Sequence, residues 1–319
     1  MSGRFAPVLV VLAALALVPL FVSSNVALNF LKVALMLALA GTGWNLLGGY
    51  GGQFSFGHAV FFGTGAYAAA VLQVRFGINP WAAFAAGIAL GAAVGLAIGW
   101  LTFRAGLRGS YFALVTLAFA EVARIIASVW PLTGAGAGIL IPLQVGFPTL
   151  QFASRAEGFW FVLALVGAAM LLVRAIEGQR FGACLVAVRE NEDAARALGV
   201  DVLAVKLSAI TLSGAITASA GGFYAQTFLY LDAGIAYGPW ISVEALLTAI
   251  VGGIGTVWGP LIGALVLQAL SELGKELGGD APGLGLVLFG AVLILVVRFA
   301  PQGIVGLARS LRPGRLARG

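Results

Sequence analysis

The sequence predicts an all-α, polytopic transmembrane helical bundle, and three observations carry that prediction. Hydrophobic residues make up 61% of the 319 residues and charged residues only 9%, against roughly 25% charged residues in ordinary soluble domains. Glycine occurs 46 times, and it is more frequent in membrane helices than in soluble ones. Several apolar runs approach or exceed the ~20 residues that a helix needs to cross a bilayer. We therefore expect a single transmembrane domain over residues 1–319, with about eight full spans and one broken or re-entrant helix pair.

The expected full spans are apolar runs that end at charged, proline-containing or glycine-containing turns. They are residues 5–22, 25–47, 58–76, 80–103, 110–130, 158–176, 207–230 and 282–299. The first run has a signal peptide as its alternative, but further apolar runs follow at once, which favours a retained span. The connection over residues 131–157 contains proline and glycine and is too polar and broken for a crossing.

The expected broken pair consists of residues 241–252 and 259–273, which a glycine-rich turn separates. At 1.5 Å per residue these helices would be about 18 and 22 Å long, short of a ~30 Å hydrocarbon core. Non-helical backbone at membrane depth must be buried in protein or line a cavity. The sequence Gly-Gly-Tyr-Gly at residues 48–51 interrupts an apolar run in the first half in a similar way. Paired interrupted helices are typical of transporters built from two repeats, although a chance match is the alternative in a glycine-rich chain.

One polar stretch, residues 174–206, has the composition of a soluble protein. A third of the 18 basic and 12 acidic residues lie in it: Arg174, Glu177, Arg180, Arg189, Glu190, Glu192, Asp193, Arg196, Asp201 and Lys206. We call residues 177–206 the charged loop. Asn191 is expected to cap a short helix inside it, and Gly199 is expected to end that helix in the left-handed conformation.

The short helix is expected to carry both ion pairs and an apolar patch. Glu192 and Arg196 stand four residues apart, as do Arg189 and Asp193, so both pairs are predicted along its surface. The patch is predicted from three residues: Ala194, Ala195 and Leu198. A rigid helix of this kind is suited to a cleft on another protein, and the alternative is a solvated loop that only joins two spans.

Charge distribution predicts the orientation of the spans. The net charge is +6, and the basic residues are dispersed at span ends, which excludes a nucleic-acid-binding face and fits the positive-inside tendency. The N-terminus, the charged loop and a basic tail over residues 301–319 are therefore predicted to be cytoplasmic. One cysteine, Cys184, and one histidine, His58, exclude a disulfide framework and a multi-ligand metal site.

Two groups of polar residues stand out in the apolar part of the chain. The first is Asn45, Gln53, Ser55 and His58. Polar groups in hydrocarbon must be paired or face water, so this group is a candidate for a translocation pathway. Hydrogen bonding that only holds helices together is the alternative.

The second group is Glu121 and Arg124, which stand three residues apart in a predicted span. They are predicted to form a buried, self-compensating ion pair rather than a transport site. No GxxxxGK[ST] motif occurs in the sequence, so the chain lacks the P-loop route to binding ATP.

Four stretches of the sequence together resemble one known family. They are GGYGGQFSFGHAVFFGTGAYAAA (residues 48–70), SYFALVTLAFAEVAR (110–124), RENEDAARALGVDVLAVKL (189–207) and GGIGTVWGPLIGA (252–264). The family is the LivM-like permeases of branched-chain amino acid ABC importers. The resemblance implies a non-enzymatic permease subunit that binds no cofactor itself, while ATP and Mg bind to a partner ATPase.

The resemblance also implies partners and a location. They are a second permease subunit, two cytoplasmic ABC ATPases, a periplasmic substrate-binding protein and the bilayer of a bacterial inner membrane. The residues that match the family's ATPase-coupling pattern are Glu190, Glu192, Asp193, Ala194, Ala195, Arg196 and Gly199. The implied solutes are leucine, isoleucine, valine or related small molecules. The alternatives are urea, short amides or other amino acids, or a self-sufficient secondary transporter.

Overall fold

The chain folds into a bundle of helices, as the sequence predicts. A computed structural model describes residues 4–22, 24–278 and 303–310, and also residues 290, 291, 294 and 298. In order, its elements are α1 (Ala6–Phe21), α2 (Asn25–Trp44), α3 (His58–Val74), α4 (Pro80–Arg104), α5 (Gly109–Val129), β1 (Ile139–Leu140), α6 (Arg155–Ile176), α7 (Arg180–Glu190), α8 (Glu192–Ala197), α9 (Val202–Phe228), β2 (Tyr230–Leu231), α10 (Ala233–Ala236), α11 (Pro239–Gly252), α12 (Gly259–Gly278) and α13 (Gly303–Ser310).

The described residues contain six helices that are long and apolar enough to cross a membrane. Helices α1 and α3 are apolar but shorter, while the span expected over residues 282–299 lies almost wholly outside the described residues. The connection after α5 is not a crossing, as expected, and consists of short 3-10 turns and strand β1.

Helix α9 lies at the centre of the bundle and packs against α2, α3 and α4. Small residues make this packing close. A Cβ atom at Gly221 would lie 1.9 Å from the carbonyl oxygen of Phe62, and one at Gly65 would lie 2.0 Å from that of Ala218. Glycine at such positions lets the backbones of membrane helices approach one another.

Helix α2 does not end where the apolar run ends. It continues into a π-helical turn, Asn45–Tyr50, and the backbone from residue 51 to residue 57 is then non-helical before α3 begins at His58. We call residues 48–57 the first glycine segment. The amide nitrogen of Phe56 donates to Thr116 Oγ1 of α5, so this non-helical backbone lies against α5, while the side chains of Phe54 and Phe56 are exposed.

The predicted broken pair is present as α11 and α12, with the glycine-rich turn between them. The apolar part of α12, Gly259–Gly274, is shorter than a span, as predicted, but α11 together with α10 (Ala233–Gly252) is one of the six helices among the described residues that are long enough to cross. Helix α11 has 14 residues, which is about 21 Å, whereas α12 has 20 residues and is about 30 Å long. The predicted run stopped at residue 273 because the residues after it include Lys275 and Glu276. Both are good helix formers, so the helix continues beyond the apolar run.

The two ends of the bundle differ in what they carry. At one end the Arg174 guanidinium donates to the Arg4 carbonyl, and Gly303 of α13 lies against Gly253 between α11 and α12. The start of the described chain and α13 therefore share the end that carries the charged loop. At the other end β1 pairs with β2 in antiparallel register, Ile139 opposite Leu231 and Leu140 opposite Tyr230.

Replacing Gly221 with alanine is expected to lower the thermal unfolding midpoint of the purified protein, because the new methyl group would overlap the α3 backbone. Overpacking of this kind costs about 1–3 kcal/mol. Gly136→Ala is the matched control, since a Cβ atom there would meet no atom within 4 Å. Equal midpoints for the two variants would contradict the close α3–α9 packing.

Candidate functional site: the charged loop and the glycine segments

The charged loop contains two helices rather than the one that the sequence predicts. Asn191 ends α7 and caps α8, and its Oδ1 accepts hydrogen bonds from the amides of Asp193 at 3.0 Å and Ala194 at 2.9 Å. Gly199 follows α8 with φ +83°. The cap and the left-handed glycine of the short helix are thus where the sequence places them.

Helix α7 was missed, although its sequence carries a helical signal. Phe181, Leu185 and Val188 recur at the spacing of one helix face. Leu185 and Val188 are buried in the structure. Val188 packs with Ala195 and Val202 in a small apolar cluster, so the charged loop is fastened to the bundle by an apolar face as well as by its charges.

Glu192 is turned into the protein, where it contacts three different elements. It pairs with Lys206 Nζ at the start of α9 and with Arg108 Nε before α5 at 3.0 Å. It also accepts a hydrogen bond from Gln53 Nε2 in the first glycine segment at 3.3 Å. The side chain of Glu192 is 12% exposed and that of Lys206 5%. The predicted surface pair of Glu192 with Arg196 is therefore wrong, because the buried ammonium of Lys206 needs a counter-charge.

Asp193 lies on the exposed side of α8. Its Oδ1 lies 3.3 Å from Arg108 Nη2 and 2.8 Å from Arg196 Nη1, and the hydrogen bond from Arg108 lowers the pKa of the carboxyl. The predicted pairing of Arg189 with Asp193 is wrong, since Arg189 Nη2 instead lies 2.7 Å from Glu190 Oε1.

The charged loop is bonded directly to the first glycine segment at two further places. Arg189 Nη1 donates to the Gly49 carbonyl at 3.1 Å, and the Tyr50 hydroxyl donates to Glu177 Oε1 at 2.6 Å. Gly52, with φ +67°, lies under Arg189, and a Cβ atom there would be 2.6 Å from Arg189 Cγ. A larger residue would have no room at this turn.

Asn45, in the π-helical turn that leads into the first glycine segment, is bonded to residues 252–259, which we call the second glycine segment. The side-chain amide of Asn45 donates to the Thr256 carbonyl at 2.9 Å and accepts from the Gly255 amide at 2.8 Å. These two bonds satisfy backbone groups of a non-helical turn, as buried polar groups generally require. The charged loop and both glycine segments thus form one continuous hydrogen-bonded unit.

The four pathway candidates are all hydrogen-bonded within the chain. His58 is fully buried, and its Nε2 lies 2.8 Å from Ser213 Oγ of α9 while its Nδ1 lies 3.2 Å from Ser55 Oγ. Asn45 and Gln53 have the partners given above. These contacts favour the alternative interpretation, in which the group holds helices together.

Glu121 and Arg124 form the predicted ion pair, but the chain does not bury it. The two side chains meet at 2.5 Å and are 47% and 35% exposed. Val122 and Ile126 beside them are about half exposed, and we call this surface the α5 face. The spacing of the two residues predicts the pair, whereas their burial depends on what covers α5.

The exposed tip of α8 is apolar. Leu198 is 84% exposed, and Ala194 is exposed beside it. Ala195, the third member of the predicted patch, is instead buried against Val188. Among the described residues no group of His, Cys, Asp and Glu could hold a metal ion.

Sequence comparison identifies the family. Residues 26–297 match the profile of the branched-chain amino acid transport system permease component. The chain belongs to this permease family. The high-affinity branched-chain amino acid transport system permease protein LivM of Escherichia coli (strain K12) is 26% identical, over 94% of this chain and 75% of LivM.

Two other relatives show the range of the similarity to this permease. The branched-chain amino acid permease protein BraD of Pseudomonas aeruginosa is 25% identical, over 87% of this chain and 94% of BraD. The fructose import permease protein FrcC of Rhizobium meliloti is 30% identical, over 43% of this chain and 39% of FrcC.

Glu192→Gln is expected to destabilise the permease strongly, because it leaves the buried Lys206 ammonium without a counter-charge. Breaking a buried pair costs about 3–5 kcal/mol. Thermal unfolding would measure the loss, and trypsin cleavage after Arg196 would report the release of the loop. Asp193→Asn, beside it on the exposed side, is expected to change both readouts little.

The double variant Glu192→Gln with Lys206→Met removes both charges, and we expect it to recover part of the stability that the single variant loses. If Glu192→Gln and Asp193→Asn have the same effect, Glu192 does not anchor the loop.

Proposed function

We propose that the chain is the membrane-spanning subunit of an ATP-driven importer, and that separate ATPase subunits dock on it at the charged loop. The observation that carries the proposal is the two-sided construction of α8. Its outer side presents Leu198 to solvent, while its inner side holds Glu192 against the bundle. An exposed apolar side chain on a rigid, capped helix is the kind of anchor that fills a pocket on a partner.

The contacts of Glu192 give a route by which movement of α8 would reach the membrane helices. They lead to the turn before α5 through Arg108, to the start of α9 through Lys206 and to the first glycine segment through Gln53. Closure of the ATPases around bound ATP and Mg would displace α8. The three bonded elements would then move with it and open the pathway alternately to each side.

The α5 face supports the presence of a second permease subunit. Glu121 lies about 18 Å along α5 from Gly109, so the ion pair stands well inside the span and is exposed on this chain. Charged side chains at such depth are costly in lipid and almost always face protein or a water-filled cavity. We therefore assign the α5 face to the contact with the second permease or to the pathway between the two subunits.

The solutes that we propose are leucine, isoleucine, valine or related small molecules, delivered by a periplasmic binding protein. The family of the chain supports this class, while the similarity to a fructose import permease keeps other small solutes, including urea and short amides, as the second candidate. We place the permease in the inner membrane with both termini cytoplasmic. The position of Arg4 and α13 at the charged-loop end supports that orientation.

Leu198→Asp is expected to reduce stimulation of the co-expressed cognate ATPase at least tenfold, because a carboxylate would be placed in the docking pocket. ATP hydrolysis and co-purification of the ATPase with the permease would be measured in proteoliposomes. Leu140→Asp is the matched control, because Leu140 is also highly exposed (70%) but lies in β1 at the opposite end.

Equal loss in the two variants, or full coupling in Leu198→Asp, would contradict docking at α8. Solute uptake by the permease without any ATPase would contradict the proposed function as a whole.

A further inference from the structure

A second feature of the molecule lies at the end opposite the charged loop. A cavity of about 150 Å³ opens between α2, the first turn of α6 and the last turn of α9. The connection after β1 covers it with Gln151 and Phe152. The cavity has no part in the contacts of the charged loop, so what it binds is a separate question from coupling.

Two basic side chains line this cavity together. Lys32 of α2 reaches α6, where a Cβ atom on Gly158 would lie 3.5 Å from Lys32 Cδ, and Arg155 begins α6. Their like charges repel each other. In the part of the chain that the structure describes, neither side chain belongs to an ion pair. Lys32 stands about 10 Å into α2. Arg155 is exposed at the first residue of α6, and two cations that line one cavity without a counter-charge favour a negative group there.

Gln226 of α9 provides an independent observation. It is 5% exposed, it lines the same cavity, and neither Nε2 nor Oε1 has a hydrogen-bond partner among the described residues. A buried polar group without a partner costs about 1–3 kcal/mol, and buried amides in folded proteins are generally satisfied. Its amide therefore points to a ligand or water in the cavity, and the oxygen of an anion would accept a hydrogen bond from Nε2.

The rest of the wall combines apolar side chains with the polar residues Gln151, Ser154 and Thr227. Leu143, Val145 and Leu150 of the connection and Phe223 and Leu229 near the end of α9 contribute to it. A ligand with an oxyanion beside an apolar body would match this lining. The phosphate of an anionic lipid and the carboxylate of an aliphatic amino acid both have this chemistry.

We propose that this cavity is an oxyanion-binding site in which Lys32, Arg155 and Gln226 hold a phosphate or carboxylate group. The site goes beyond the proposed import function and does not depend on it, because a lipid would occupy it whether or not the chain couples to an ATPase.

Thermal unfolding of the purified permease at fixed ionic strength tests the site. Three probes are added separately: dioleoyl phosphatidylglycerol, L-leucine and inorganic phosphate. Dioleoyl phosphatidylcholine, whose zwitterionic headgroup has no net charge, is the matched control for the lipid. We expect a saturable rise in the unfolding midpoint with one of the probes. A larger rise with phosphatidylglycerol than with phosphatidylcholine identifies a lipid site, and a rise with L-leucine identifies a solute site. A saturable rise with inorganic phosphate alone also supports an oxyanion site.

Three variants assign the effect to the cavity. Lys32→Gln is expected to raise the half-saturating ligand concentration at least tenfold. Arg75→Gln, which removes an exposed basic residue after α3, is expected to leave that concentration unchanged. Gln226→Leu is expected to keep or raise the midpoint without ligand, because it removes the unpaired amide, and to weaken binding. No saturable response to any probe, or equal loss in Lys32→Gln and Arg75→Gln, overturns the proposal. A water-filled cavity gives the first of these results.

Discussion

A buried ammonium group that must be neutralised is the constraint on which the charged-loop end of this permease depends. Lys206 lies at the start of the central helix α9, and its side chain is 5% exposed. An unpaired charge in such a place is strongly unfavourable, so a carboxylate has to reach it. Glu192 does so, and this draws α8 against the bundle. Because Glu192 also contacts Arg108 and Gln53, the same requirement fixes the charged loop to α5 and to the first glycine segment.

The glycine segments carry that attachment further into the membrane domain. Non-helical backbone is tolerated there only when its polar groups have partners, and the amide of Asn45 supplies partners for Gly255 and Thr256. Glycine is required because the segments approach closely: a Cβ atom at Gly49 would lie 2.7 Å from the Gly255 amide nitrogen. The segments join α2 to α3 and α11 to α12. A displacement of the charged loop would therefore reach four membrane helices through hydrogen bonds rather than through flexible linkers.

Much of the fold could be predicted from the sequence, because composition, apolar run length and capping residues are local properties. The helical bundle, the capped helix after Asn191 and the Glu121–Arg124 pair all follow from such signals. The direction in which Glu192 points could not be predicted, since it depends on Lys206 and Arg108, which other elements bring to it. The exposure of the α5 ion pair likewise depends on neighbours that spacing does not specify. Gln226 gave no signal, because a polar residue near a helix end is ordinary until its partners are known.

Hydrogen exchange measured by mass spectrometry on the purified chain tests most directly whether the charged loop and the glycine segments form one unit. Arg189→Ala removes the bond to the Gly49 carbonyl, and the account predicts faster exchange in residues 45–57 and also in residues 253–258, where Gly255 lies close to both Gly49 and Arg189. Arg196→Ala, which removes an exposed side chain of the same loop, should leave both segments protected. Faster exchange confined to residues 180–200 in Arg189→Ala would contradict the account.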